Sequence, residues 1–256
     1  MHTLIVTADD FGISPGTVAG ILEAMREGWV AATSAMVCEP ADRQRVADAA
    51  GVVPGRIGLH LQLTDGRPVS QSGAVPSLVD RDGRFPAHPS SAGQIDPGEV
   101  LAEWRAQLGL LRELGVEPSH LDSHHHAHTL PGALEAYVEL ARETGLRARG
   151  GRPLVVRRLR AAGVRCVDAC EMTWTGTGRG AETLIHAVTG LVAGAAGPRA
   201  VELVAHPGHP DDELRRRSNV IEARWNELRV LSDPELPARL IVAGFQLADI
   251  TQWEHP

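Results

Sequence analysis

The chain has 256 residues, of which 43% are hydrophobic and 22% charged, as is typical of a globular protein with a sizeable core. Its formal net charge is −7 without any basic block, which argues against nucleic acid or an anionic membrane as the main partner. No stretch approaches the roughly 18 apolar residues that a membrane span needs. The three cysteines are odd in number and form no C-x-x-C pair, so we expect a cytoplasmic protein without a disulfide framework.

The chain begins with alternating strand and helix patterns. Residues 3–8 (TLIVTA) predict a first strand and not a signal peptide, because no basic segment precedes them. The polar turn DDFG follows, and Ser14 with Pro15 is typical of a helix start, so a helix is expected over 14–28 with Gly28 as its stop. The next predicted elements are a strand at 32–39, a helix at 41–51 and a strand at 56–64.

Residues 65–97 are rich in Gly, Pro, Ser and Asp, and they predict a long loop of the kind that often serves as a lid. After the loop we expect helices at 96–115, 131–145 and 181–194, strands at 119–126, 163–169 and 200–208, and a mostly helical tail over 218–247. This alternation predicts a parallel sheet covered by helices, in an α/β fold with one domain over 1–256. An open doubly wound sheet and a closed barrel both fit the pattern.

Asp or His residues stand at the ends of four predicted strands. Asp9 and Asp10 follow the first strand and His60 lies near the end of the third. The string HLDSHHHAH occupies 120–128, and His206 ends the strand at 200–208. Because the carboxyl ends of parallel strands lie on one face, we expect these side chains to meet there.

Carboxylates and neutral imidazoles bind divalent metals at ~2.0–2.2 Å, and two His with one carboxylate leave positions open for water and substrate. Adjacent aspartates on extended backbone diverge, so one of Asp9 and Asp10 can face the metal while the other reaches a water molecule. Asp122 could instead orient a liganding histidine. Each residue alone also has a structural interpretation, such as a core histidine or an Asx turn.

The strings TADDFGIS, IGLHLQLTDGRPV, PSHLDSHHHAH and VELVAHPG occur in this order along nearly the whole chain. With them the chain resembles the YdjC-like carbohydrate deacetylases, which include chitooligosaccharide deacetylase and a hopanoid-biosynthesis deacetylase. The resemblance implies an incomplete TIM-barrel-like (β/α) fold and hydrolysis of an N-acetyl group on a sugar substrate. It also implies one divalent metal ion, with magnesium as the first expectation and zinc or manganese as alternatives. A homodimer would be common for such a fold.

The resemblance also implies roles for individual residues. It gives the metal ligands as Asp10, His60 and His124. Asp9 is then the general base, and His206 is the general acid or a donor on the oxyanion side. The roles of His126 and His128 stay open: on a strand His126 would share the face of His124 and could replace it, whereas His128 would do so only in a helical turn.

Two other functions fit the same residues. A metal-dependent phosphoesterase would use two or three ions about 3.5–4 Å apart, and the extra histidines could hold a second ion. A metal-buffering protein would use the histidine cluster alone, and Asp9 and His206 would then be dispensable. One ion per chain favours the deacetylase over the phosphoesterase.

Overall fold

The computed structural model describes residues 1–27, 29–174, 180–193, 197 and 199–250, and its strands within these ranges form one all-parallel sheet. The strands are β1 (His2–Phe11), β2 (Ala32–Ala35), β3 (Ile57–Leu61), β4 (His120–Ser123), β5 (Arg147–Ala148), β6 (Ala169–Glu171), β7 (Ala200–Ala205) and β8 (Phe245–Leu247). The helices are α1 (Pro15–Arg26), α2 (Pro40–Ala49), α3 (Pro97–Glu113), α4 (Leu134–Thr144), α5 (Pro153–Ala161), α6 (Ala181–Leu191), α7 (Asp212–Arg217), α8 (Glu222–Leu231) and α9 (Leu236–Val242).

The sheet curls into an incomplete barrel. Its strand order is β5-β4-β3-β2-β1-β7-β6, with β8 paired to β1, and the described residues show no pairing between β5 and β6. In a flat sheet β5 and β7 would lie roughly 24 Å apart, five strand spacings of about 4.8 Å. Arg149, directly after β5, nevertheless lies 2.8 Å from Glu202 of β7. This curvature confirms the TIM-barrel-like α/β fold and brings the carboxyl ends of the strands together.

The core on one side of β3 and β4 is anchored by two aromatic residues. Trp104 of α3 and Tyr137 of α4 are fully buried, with ring centroids 6.1 Å apart in an edge-to-face arrangement. The Tyr137 hydroxyl donates to the carbonyl oxygen of Leu121 on β4 at 2.8 Å, and Trp104 Nε1 donates to that of Gln62 at 3.3 Å. Both polar tips are therefore satisfied, and both helices are attached to the strands that carry the candidate site.

Local signals placed most elements correctly. Ser14 accepts a hydrogen bond from the Thr17 N–H, and Asp96 accepts from Gly98 and Glu99, as N-caps of α1 and α3. The expected stop of the first helix, Gly28, lies outside the described residues. The elements β5, α5 and α7 were not predicted from the sequence.

Two predicted elements are wrong. A strand was expected at 163–169, but residues 163–168 are irregular and β6 begins only at Ala169. The prediction failed because buried Val164 and Cys166 alternate with the exposed Arg165, the pattern that a half-buried strand also shows. The helical tail expected over 218–247 ends early, because Gly244 adopts a φ of +94° and lets Phe245 start β8 beside β1.

The segment 65–96 contains only short 3₁₀ turns, so the long loop is confirmed. Its first part is attached to α3 by Glu103, a buried carboxylate that accepts the backbone N–H groups of Val69 and Ser70 at 2.9 Å each. None of the helices among the described residues combines the length and the apolar composition that crossing a bilayer requires.

Candidate metal centre

The structure brings together the three side chains expected to hold a metal. Asp10 near the end of β1, His60 on β3 and His124 directly after β4 are all buried. Asp10 Oδ1 lies 3.3 Å from His60 Nε2 and 2.9 Å from His124 Nδ1. One ligand atom from each residue lies within 4.8 Å of the other two. A single cation could therefore contact all three residues.

The donor set fits a divalent ion. Asp10 Oδ1 is buried and, within the described part of the chain, has no hydrogen-bond partner of acceptable geometry despite its two imidazole neighbours. A φ of +68° at Asp10, a left-handed conformation that aspartate tolerates, turns its carboxylate out of the strand alternation. A buried carboxylate oxygen without a donor, flanked by two imidazoles, is suited to Mg, Mn or Zn.

Charges around the cluster keep Asp10 ionised. Burial alone would raise the pKa of Asp10, but Arg224 and His124 hold it well below its usual value. Burial likewise opposes the charge on His60, but Asp122 and Asp9 outweigh it and raise the pKa of His60 to about 10. Attraction between the buried carboxylates and the positively charged side chains is therefore strong around the cluster.

Asp122, whose role the sequence left open, contacts the far side of His60. Its Oδ1 lies 2.7 Å from His60 Nδ1, and the Ser34 hydroxyl lies 3.1 Å from the same nitrogen. The Nε2 atom of the ring is thereby directed to Asp10. This carboxylate–imidazole arrangement is typical of metal-binding histidines, whose orientation is set by the partner of the second nitrogen.

Asp9, the neighbour of Asp10 in sequence, is held by Arg149. Two hydrogen bonds of 2.7 Å join the Arg149 guanidinium to the two oxygens of Asp9. The same guanidinium lies 2.8 Å from both Asp122 and Glu202. Asp9 Oδ2 remains 3.9 Å from His60 Nε2, so the carboxylate borders the three-residue cluster.

His206, at the end of β7, is positioned by α8. Its backbone N–H donates to Glu227 Oε2 at 2.5 Å, while its Nδ1 is buried without a partner among the described residues. Burial lowers the pKa of His206 to about 4, so the ring is neutral at physiological pH. Burial also raises the pKa of Glu227 to about 7. His206 is thus a neutral imidazole within electrostatic reach of Asp9 and Asp10.

The remaining histidines of the cluster diverge because β4 ends at Ser123. His125 and His126 have φ angles of 51° and 52°, left-handed values that a strand excludes. His126 therefore does not share the face of His124 in the way that an extended strand would require. His128 instead packs on Tyr137, with centroids 4.7 Å apart, and its Nδ1 lies 2.6 Å from the Ser123 hydroxyl.

His125 supports the ligand cluster from outside. Its ring stacks on His124 with centroids 3.9 Å apart, and its Nδ1 lies 3.0 Å from the Thr64 hydroxyl. On the other side lies His88 from the 65–97 loop, with centroids 5.3 Å apart. The long loop therefore extends to the edge of the candidate site.

Three residues of the site, Arg149, Arg224 and Glu227, were not predicted from the sequence. Arg149 follows a strand of two residues, which leaves no periodic signal. Arg224 and Glu227 lie three residues apart on α8, on the face that also buries Leu228 and Leu231. Charged residues on the apolar face of a predicted helix were therefore the available signal.

Comparisons with known proteins identify the family of the chain. Residues 3–241 match the family model described as YdjC-like protein. A carbohydrate deacetylase from Geobacillus stearothermophilus is 33% identical over 243 residues, which cover 95% of this chain and 94% of the relative. A chitooligosaccharide deacetylase from Serratia marcescens is 34% identical over 250 residues, which cover 95% and 96%.

A solved structure from Enterococcus faecalis V583, of a protein named for cellobiose-phosphate cleavage, superposes with a TM-score of 0.87. The two sequences are 28% identical, and the superposition covers 97% of each chain. The family model and both relatives extend over nearly all of the chain, including every strand that carries a site residue. The chain therefore belongs to the YdjC-like family.

Proposed function

We propose that this protein hydrolyses the N-acetyl group of an acetylated amino sugar, releasing acetate and a free amine, with the help of one divalent ion. The observation that carries the proposal is the buried cluster of Asp10, His60 and His124 with Asp9 beside it. The deacetylase names of the relatives from Geobacillus stearothermophilus and Serratia marcescens support the sugar substrate.

The ion would be held by Asp10, His60 and His124. When bound there, a divalent cation supplies Lewis-acid chemistry, which polarises a carbonyl group and acidifies water. Magnesium is the first candidate and zinc or manganese the alternatives, since oxygen and nitrogen donors accept all three. Asp122 and Ser34 would keep the His60 ring in the orientation that presents Nε2.

Asp9 would act as the base that takes a proton from the attacking water. The two bonds from Arg149 hold its carboxylate in one orientation. Oδ1 also accepts the Ser34 hydroxyl at 3.4 Å, whereas Oδ2 keeps a lone pair that can take a proton. Attack on the amide carbon then forms a carbon–oxygen bond while the carbonyl π electrons move onto the oxygen, and the carbon–nitrogen bond breaks when those electrons return. The proton held by Asp9 becomes available to the departing nitrogen, because an amine leaves readily only when protonated.

His206 would donate a hydrogen bond to the oxygen on which negative charge develops. Its low pKa favours this donor role over that of an acid protonated at rest, because a neutral imidazole still carries one N–H. Removal of one such donor typically lowers the rate by about 10²–10³-fold. The Glu227 contact with its backbone N–H would hold the residue in place.

The charge arrangement supports one ion and so disfavours the phosphoesterase. A second group of metal-binding type, formed by Asp9, His60 and Asp122, shares His60 with the first. Its two carboxylates already contact the Arg149 guanidinium, which lies 2.7 Å from Asp9 and 2.8 Å from Asp122. A second cation there would have to compete with a buried positive charge.

The test is an acetate-release screen over N-acetylglucosamine, its oligosaccharides and other N-acetylated sugars, with and without chelator. We expect equal amounts of acetate and free amine from one class of sugar, loss of activity on chelation, and recovery with one ion per chain. A bis(p-nitrophenyl) phosphate assay runs in parallel. Phosphate-ester cleavage with two ions per chain, or no turnover of any sugar, would refute the proposal.

A further inference from the structure

Asp10 has a second buried contact that the proposed reaction does not use. Nη2 of Arg224, on α8, donates to Asp10 Oδ2 at 2.5 Å, and the two side chains are only 2% and 3% exposed. The other oxygen, Oδ1, faces His60 Nε2 and His124 Nδ1. The two oxygens of this carboxylate therefore face different groups: Oδ2 accepts from an arginine, and Oδ1 lies beside the two imidazoles.

Arg224 is itself held firmly. Its Nε donates to the carbonyl oxygen of Val220 at 3.0 Å, and its own carbonyl oxygen accepts the N–H of Gly208 at 3.2 Å. The second contact ties α8 to the segment that follows His206. Since both members of the Arg224–Asp10 pair are buried, separating them would leave an uncompensated charge in the interior, which is strongly unfavourable.

We propose that Arg224 is a positioning residue that restricts Asp10 to a single ligand oxygen. The inference rests on the metal site of the proposed function. A carboxylate that binds through one oxygen occupies one coordination position, whereas binding through two occupies a second position that water or substrate would otherwise use. In this way a helix remote in sequence keeps the coordination sphere open.

The first test uses Co²⁺ as the probe, because its visible absorption per ion weakens as its coordination number rises. The variant R224M keeps a long side chain but frees Asp10 Oδ2. We expect R224M to bind one Co²⁺ per chain with clearly weaker absorption than the wild type. R224K, which keeps a charge near Oδ2, should retain the stronger absorption.

The matched control is R217M. Arg217, on α7, forms an ion pair of its own with Asp42 through two hydrogen bonds of 2.5 and 2.9 Å, but it contacts none of the three cluster residues. Loss of a largely buried arginine pair should lower stability in both variants. Only R224M should change the Co²⁺ spectrum, which separates a positioning role from a merely structural one.

The second test compares two ions. Ca²⁺ accepts carboxylates through both oxygens more readily than Co²⁺ does, so R224M should raise the Ca²⁺ affinity relative to the Co²⁺ affinity, by roughly tenfold. Loss of the Arg224 charge should change the affinities for both divalent ions by the same factor. The ratio of the two dissociation constants therefore reports only whether Asp10 binds through one oxygen or two. Titration calorimetry on the wild type, R224M and R217M measures it.

The inference is wrong if folded, Co²⁺-loaded R224M has the wild-type spectrum and the wild-type affinity ratio. It is also wrong if a structure of the metal-bound wild type places both Asp10 oxygens within about 2.6 Å of the ion, a result that needs no variant. If the wild type deacetylates a sugar but R224M shows neither effect, the proposed function stands and the inference about Arg224 is wrong. If R224M shows both effects but the wild type releases no acetate from any sugar, only the proposed function is refuted.

Discussion

Arg149 and Asp9, 140 residues apart in sequence, form a two-bond ion pair in which neither side chain is more than 3% exposed. The same guanidinium lies 2.8 Å from Asp122 and from Glu202. One cation from the end of β5 thus organises carboxylates from β1, β4 and β7. The orientation of the proposed base and the closure of the curled sheet depend on the same side chain.

Replacement of Arg149 by Met should damage both stability and rate. Three buried carboxylates would lose their shared cation, and we expect the free energy of unfolding to fall by ~3–5 kcal/mol. Acetate release should fall at least ~100-fold under conditions where the variant is folded, because Asp9 loses its fixed orientation. Urea unfolding and steady-state kinetics measure the two effects.

The control for this change is Arg142→Met. Arg142 pairs with Glu139 on the surface of α4, where the side chains are 56% and 39% exposed. Exposed pairs of this kind contribute at most about 1 kcal/mol, so the control should unfold and react almost as the wild type does. Equal stability of the R149M and R142M variants would contradict the role assigned to Arg149.

Replacement of Asp9 by Asn should separate metal binding from catalysis. Asp10, His60 and His124 remain, so the variant should still bind one ion per chain. The rate should fall by about 10²–10⁴-fold because the amide cannot accept the proton of the attacking water. Metal titration and acetate release on the same folded sample test this. Full activity of the metal-loaded variant would show that Asp9 is not the base.

Replacement of His60 or His124 by Ala should abolish metal binding and activity together. A bound ion stabilises the native state by about 2.7 kcal/mol at 100 times its dissociation constant. The wild type should therefore melt at a higher temperature with metal than with chelator, and the H60A and H124A variants should show no such difference. His209, paired with Glu23 on the surface, offers the control H209Q. One tightly bound ion in H124A would refute the ligand assignment.

Replacement of Glu103 by Gln should loosen the 65–97 loop. The carboxylate accepts two backbone N–H groups from the loop, and an amide can present only one oxygen to them. We expect a loss of ~1–3 kcal/mol in stability and faster proteolytic cleavage within the loop, measured by denaturation and limited proteolysis. E113Q, at the carboxyl end of the same helix, is the control. Unchanged cleavage rates would show that the loop is anchored elsewhere.

The sequence by itself determined the local features. The spacing of apolar residues predicted the βα alternation, and Ser14 and Asp96 marked helix starts through short-range hydrogen bonds. Polar residues at strand ends predicted that Asp10, His60 and the histidines of 124–128 would meet, since parallel strands end on one face, and the family resemblance singled out His124. These signals act within a few residues or follow from strand direction alone.

Only the tertiary structure decided which charges neutralise the site. Arg149 reaches Asp9 because the sheet curls, and Arg224 reaches Asp10 because α8 packs beside the end of β1. The left-handed turn at His125 and His126 likewise separated the clustered histidines, which an extended strand would have aligned. Pairs between distant residues depend on how far the sheet bends and on which helix faces it, and no local periodicity carries that information.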